Sequence, residues 1–134
     1  MLNKAVLETK DVAKMLEAAT QEAQTHAWPV TIAISDDGGH LLALRRLDGA
    51  PPISAYIAPE KARCAALGRR ESAVYEKMIN DGRMSFLSAP VLAGMLEGGI
   101  PILVDGQVVG AIGVSGVKST EDAQIARAGI AALA

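Results

Sequence analysis

Apolar side chains at Val12, Met15, Leu16, Ala19, Ala23 and Ala27 recur at the spacing of an amphipathic helix, which Thr9 caps and Pro29 ends. Asp11 falls at the positive end of its dipole. The period then changes. Thr31 to Ser35 alternates in strand fashion, Asp36-Asp37-Gly38-Gly39 has turn chemistry, and His40 to Arg46 returns as the partner strand. After a loop at Asp48–Pro52, a second helical stretch runs from about Ile53 to Leu67, kinked or restarted at Pro59 and closed by Gly68. Ser72 caps a short helix to about Asn80. Residues 83–97 carry little periodicity beyond one short strand near Met95 and Leu96. Ser119 or Thr120 caps a last helix, with Ile125, Ala126, Gly129, Ile130 and Leu133 on one face.

The stretch from Gly98 to Gly116 is the most informative. Two apolar runs flank Asp105-Gly106, a pair that supplies two positive-φ residues and closes a tight hairpin. The second run is apolar on both faces, which predicts a buried central strand. Gly110 and Gly113 interrupt it and imply close approach by another backbone, a helix or a ligand. Gly98-Gly99 leaves backbone N–H groups to face a bound group. Hairpins on both sides of a helical region predict an α+β fold with an antiparallel sheet, in one domain over residues 1–134.

Half of the residues are apolar but only 3% are aromatic, so the core is built from Ala, Val, Ile, Leu and Met. The net charge of −2, with no basic run, speaks against nucleic-acid binding. The single cysteine, Cys64, rules out an internal disulfide and reads as a small hydrophobe on a helix facing the sheet. No apolar signal core and no segment of membrane-spanning length is present, so the cytoplasm is the expected location.

Among residues able to carry chemistry, His40 opens a strand after a Gly-Gly turn, where it could ligate a metal, act as an acid–base group, or be satisfied by turn carbonyls. His26, near the end of the first helix, is placed on its inner face, where it suits the helix C-terminus or, as the weaker alternative, ligates haem or a metal. Arg45 and Arg46 point to opposite faces of their strand. They read either as loop-closing ion pairs with Asp48 or as a guanidinium fork for a carboxylate. Lys61, in an apolar helical stretch, reaches solvent or binds an anion. No nucleophile elbow, P-loop or zinc motif occurs. The residues leave binding and catalysis both open.

Three blocks in order resemble the GlcG/HbpS-like family, a haem-degrading or haem-binding domain also found at the C-terminus of PduO-type adenosyltransferases. They are Pro29–Ala50, Glu60–Leu67 and Gly98–Gly116. The resemblance implies a profilin-like fold with a five-stranded antiparallel sheet between helical layers. It implies a small-molecule ligand, with haem or a related tetrapyrrole the named candidate and no other cofactor. It places His40 as the iron ligand and Arg45, Lys61, Gly98 and Gly99 around one pocket, completed by another subunit if need be. It also implies a homo-oligomer, a dimer or higher, up to an octamer. A cofactor-free enzyme acting on a small organic acid is the alternative reading, and a structural partner for another enzyme is a third. Leu47 and Cys64 depart from the family pattern, which more often has methionine and threonine there.

Overall fold

A computed structural model describes residues 1–134. Four helices, α1 (Thr9–Thr25), α2 (Ser54–Gly68), α3 (Ser72–Asn80) and α4 (Ser119–Ala131), accompany four strands, β1 (Thr31–Asp36), β2 (Leu41–Arg46), β3 (Gly99–Val104) and β4 (Gln107–Ser115). The sheet is antiparallel in the order β2-β1-β4-β3, so β4 is central, as its two apolar faces demand. The expected α+β layering holds, with four strands in place of five. The missing strand near Met95 and Leu96 is irregular chain. There the Leu96 carbonyl accepts from Ser72 Oγ rather than from a neighbouring strand, and Met95 packs with Cys64 and Tyr75.

The two faces of the sheet are packed differently. One carries Ile32, Ile34, Ile102, Ile112 and Val114 against Met15, Ala19 and Ala23 of α1 and Ile125 and Ala126 of α4. The other presents Ala33 and Ala111 to Ala58, Ala62, Ala65 and Ala66 of α2. Small side chains on both partners let α2 lie almost on the sheet. A Cβ on Gly113 would come within 2.2 Å of the Ala58 carbonyl oxygen, and one on Gly99 within 2.1 Å of the Lys61 carbonyl oxygen. The strand glycines therefore make room for a helix backbone. The helix runs through Pro59 without a break in its helical span.

Asp105 and Gly106 both take positive φ, 52° and 75°, which is the turn expected of that dipeptide. The helix starts differ from expectation in one consistent way. The residues before Thr9, Ser72 and Ser119 are the caps, namely Glu8, Glu71 and Lys118. At α1 and α4 an acidic side chain three residues on, Asp11 or Glu121, accepts from the cap N–H. Ser72 Oγ is spent on Leu96 and Gly99 instead. Similarly, the left-handed residue ending α2 is Arg69, with φ 57°, and not Gly68, which has no room for a Cβ beside the Tyr75 ring.

Candidate functional site

The β1–β2 turn holds His40 in a defined pose. Asp36 Oδ1 accepts from the backbone N–H groups of Gly38 and His40, each at 2.9 Å, which fixes the carboxylate. His40 Nδ1 lies 3.1 Å from the same oxygen. A carboxylate there favours the proton on Nδ1, which leaves the Nε2 lone pair without a protein partner on a side chain that is 80% exposed. Turn chemistry explains Asp36, as its sequence position suggests, but its second task of orienting the imidazole is visible only in three dimensions.

Cations surround the same end of the sheet. Arg63 lies over the turn, its Cγ 2.8 Å from where a Cβ on Gly39 would sit, and is loosely paired with Glu60 at 3.8 Å. Lys4 and Arg69 both approach Asp37. The Lys4 ammonium, with help from Arg69, holds the Asp37 carboxyl below its ordinary value. Beyond His40, edge strand β2 leaves Leu41, Leu42 and Leu44 exposed.

Lys61, Gly98 and Gly99 also meet, but in the interior. Lys61 neither reaches solvent nor faces a cleft. Its Nζ donates to the Val114 carbonyl at 2.9 Å and to Asp122 Oδ2 at 3.0 Å. A Cβ on Gly98 would come within 2.8 Å of that Nζ, so the glycine provides the channel the lysine uses. The Gly99 N–H, expected to face a bound group, donates to Ser72 Oγ at 2.8 Å. Burial pushes the Asp122 carboxyl above its ordinary value, outweighing the attraction of Lys61.

Arg45 is not brought to this group. It lies against α1, where Nη1 donates to Thr20 Oγ1 at 3.1 Å and to Glu17 at 3.3 Å. Arg46 binds the Ala50 carbonyl through Nε and Nη2, so Asp48 forms neither expected ion pair. His26 is partly exposed near Glu22 and stacks on Trp28 with ring centroids 4.2 Å apart, off the inner face predicted for it. Cys64 is buried as predicted, but against Tyr75 and Met95 rather than the sheet. Burial, with Glu60 adding to it, pushes its thiol up to about 11. No helix is long and apolar enough to cross a membrane.

Comparison with known proteins places this architecture. Residues 7–131 match the model of the family described as haem degrading protein HbpS-like, and the chain belongs to that family. It is 54% identical to protein GlcG of Escherichia coli K12 over 115 residues, 86% of this chain and 85% of that one. It is 28% identical to the corrinoid adenosyltransferase PduO of Salmonella typhimurium, across 95% of this chain but 39% of that protein. Among solved structures, a double mutant of Streptomyces reticuli HbpS superposes with a TM-score of 0.89 at 30% identity, covering 100% of this chain and 91% of that one. A structure described as a PduOC:heme complex superposes with a TM-score of 0.85 at 27% identity, covering 96% of this chain and 95% of that one.

Proposed function

We propose that this member of the HbpS-like family binds haem or a related tetrapyrrole, with His40 as the axial ligand. The observation that carries the reading is the Asp36–His40 pair, in which Nδ1 faces a carboxylate at 3.1 Å while Nε2 has no protein hydrogen bond on an exposed side chain. Metal-ligating histidines are oriented in this way by a carboxylate on the second nitrogen. No three His, Cys, Asp or Glu side chains converge to hold a bare ion. A porphyrin brings four nitrogens of its own and asks the protein for one axial group, so the donor set fits a haem better than a free metal. Arg63, Arg69 and Lys4 are the cations near enough to this turn to pair with propionates. Bound there, haem would supply an iron centre for ligand or redox chemistry. The PduOC:heme complex among the structural relatives supports the same ligand class.

The site stands open on a single chain. Exposed Leu41, Leu42 and Leu44 lie on a free sheet edge beside His40, a surface that soluble chains cover. We take this as support for a homo-oligomer, dimeric at least, in which a second copy completes the site. Light scattering that returned only monomer at micromolar concentration would remove that part of the reading.

The test of ligand and residue is a haemin titration followed in the Soret region. Saturable binding is expected for the wild type. His40→Ala should shift the band and weaken binding, and Asp36→Asn should weaken it by about tenfold or more. An unchanged spectrum and affinity in His40→Ala removes His40 as ligand. No saturable binding by the wild type removes haem.

A further inference from the structure

The opposite end of the β1–β2 hairpin from His40 holds a separate feature. Thr31 pairs with Arg46 there, whereas Ser35 pairs with Leu41 near the histidine. Between the C-terminal turn of α1 and the end of β2 opens a cleft of about 460 Å3, bordered by Gln24, Trp28, Arg45, Leu47 and Asp48. We infer that this cleft is a second binding site, for a small carboxylate that also carries a hydroxyl or ammonium group. The inference does not depend on haem binding at His40.

Three observations converge on that chemistry. First, Arg45 is a preset cation. Thr20 and Glu17 both take hydrogen bonds from its Nη1, while Nε and Nη2 donate to no protein group. A guanidinium held by one nitrogen with two donors left over offers a carboxylate two parallel hydrogen bonds. Second, Asp48 is a carboxylate that the fold leaves without a protein hydrogen bond or ion pair, on a tightly held loop. Leu47 N–H donates to the Val30 carbonyl at 2.9 Å and Ala50 N–H to the Leu47 carbonyl at 3.1 Å, with Gly49 at φ 84° between them. Arg46 clasps the Ala50 carbonyl from outside. An ionised acid can only accept, so its complement is a ligand N–H or O–H. Third, the chain's single tryptophan lines the cleft, its ring braced by stacking on His26. It supplies a flat apolar wall for the carbon skeleton. The carbonyls of Ala23 and Gln24 at the helix end are already taken by the N–H groups of Trp28 and Ala27, so the charges at the cleft are those of Arg45 with its partner Glu17, Arg46 and Asp48.

Because Trp28 is the only tryptophan, its fluorescence reports the cleft directly. Three acids of equal carbon count serve as probes: propionate, L-lactate and L-alanine. Lactate or alanine should give a saturable change and bind more tightly than propionate. A preference for lactate identifies a hydroxy acid, and a preference for alanine an amino acid. Arg45→Gln should weaken all three by about tenfold or more, and Asp48→Ala, which removes the acceptor, should abolish the preference for lactate or alanine over propionate. Far-UV circular dichroism confirms that both variants keep the fold. No saturable response to any of the acids, equal affinity for all three, or binding unaltered by Arg45→Gln would each overturn the inference. A haemin titration on the same samples reads the His40 end independently.

Discussion

Lys61 Nζ and Asp122 Oδ2 lie 3.0 Å apart with their side chains 4% and 3% exposed, joining the middle of α2 to the first turn of α4. The Val114 carbonyl takes a second ammonium proton, and the Val117 N–H donates to the other Asp122 oxygen. A buried pair so fully bonded holds three elements in register.

Breaking this pair from one side should be costly. Asp122→Asn leaves a buried ammonium without its counter-charge and is expected to lose about 3–5 kcal/mol of stability in urea unfolding. Lys61→Met should cost less, because a carboxyl already biased towards its neutral form by burial can take up a proton. The double variant Lys61→Met with Asp122→Leu should be more stable than Asp122→Asn alone. Equal losses in the two single variants would contradict this ordering.

Two carboxyls should give the pH profile opposite slopes. Asp122 holds its proton more tightly in the folded chain than in the unfolded one. Its contribution is therefore favourable below its ordinary value of 3.8 and is lost as pH rises through its raised native value. Asp37 is shifted down by Lys4, so its contribution is present above 3.8 and is lost as pH falls through its lower native value. Urea midpoints measured against pH should lose the first slope in Asp122→Asn and part of the second in Lys4→Ala.

Substitution at the α2 contact should be poorly tolerated. Gly113→Ala places a Cβ 2.2 Å from a backbone oxygen that no rotamer change can move. The expected loss is about 1–3 kcal/mol or more. Gly106→Ala, with open space around its Cβ position, should cost only the strain of its positive φ. Thermal unfolding of the two variants makes the comparison.

The Cys64 thiol should be inert in the native state. Raising its value from 9.0 to about 11 removes about ninety-nine of every hundred thiolates at neutral pH, before burial limits access. Reaction with a chromogenic disulfide should be slow in buffer and fast in denaturant. Rapid native labelling would show that the α2–α3 region opens.

Local chemistry alone determined much of this protein. Asp105-Gly106 needs no partner to prefer positive φ, and the apolar face of Val12, Met15, Ala19 and Ala23 follows from helical periodicity. The double-sided apolar character of β4 required burial wherever the sheet was built. What the tertiary structure decided were choices among partners distant in the chain. Lys61 had solvent, a ligand or a buried acid open to it, and only the packing of α2 onto alanine and glycine brought Asp122, 61 positions away, within reach. Ser72 could have capped its own helix, but the Leu96 carbonyl and Gly99 N–H needed a partner more, and no fifth strand formed there. Arg45 and Lys61 share no cleft because Arg45 is held against α1 on one face of the sheet, whereas Lys61 starts from α2 on the other face and is buried against Asp122. A backbone polar group must be satisfied by whatever packing leaves beside it, and that neighbour is fixed by the whole fold rather than by the residues next along the chain.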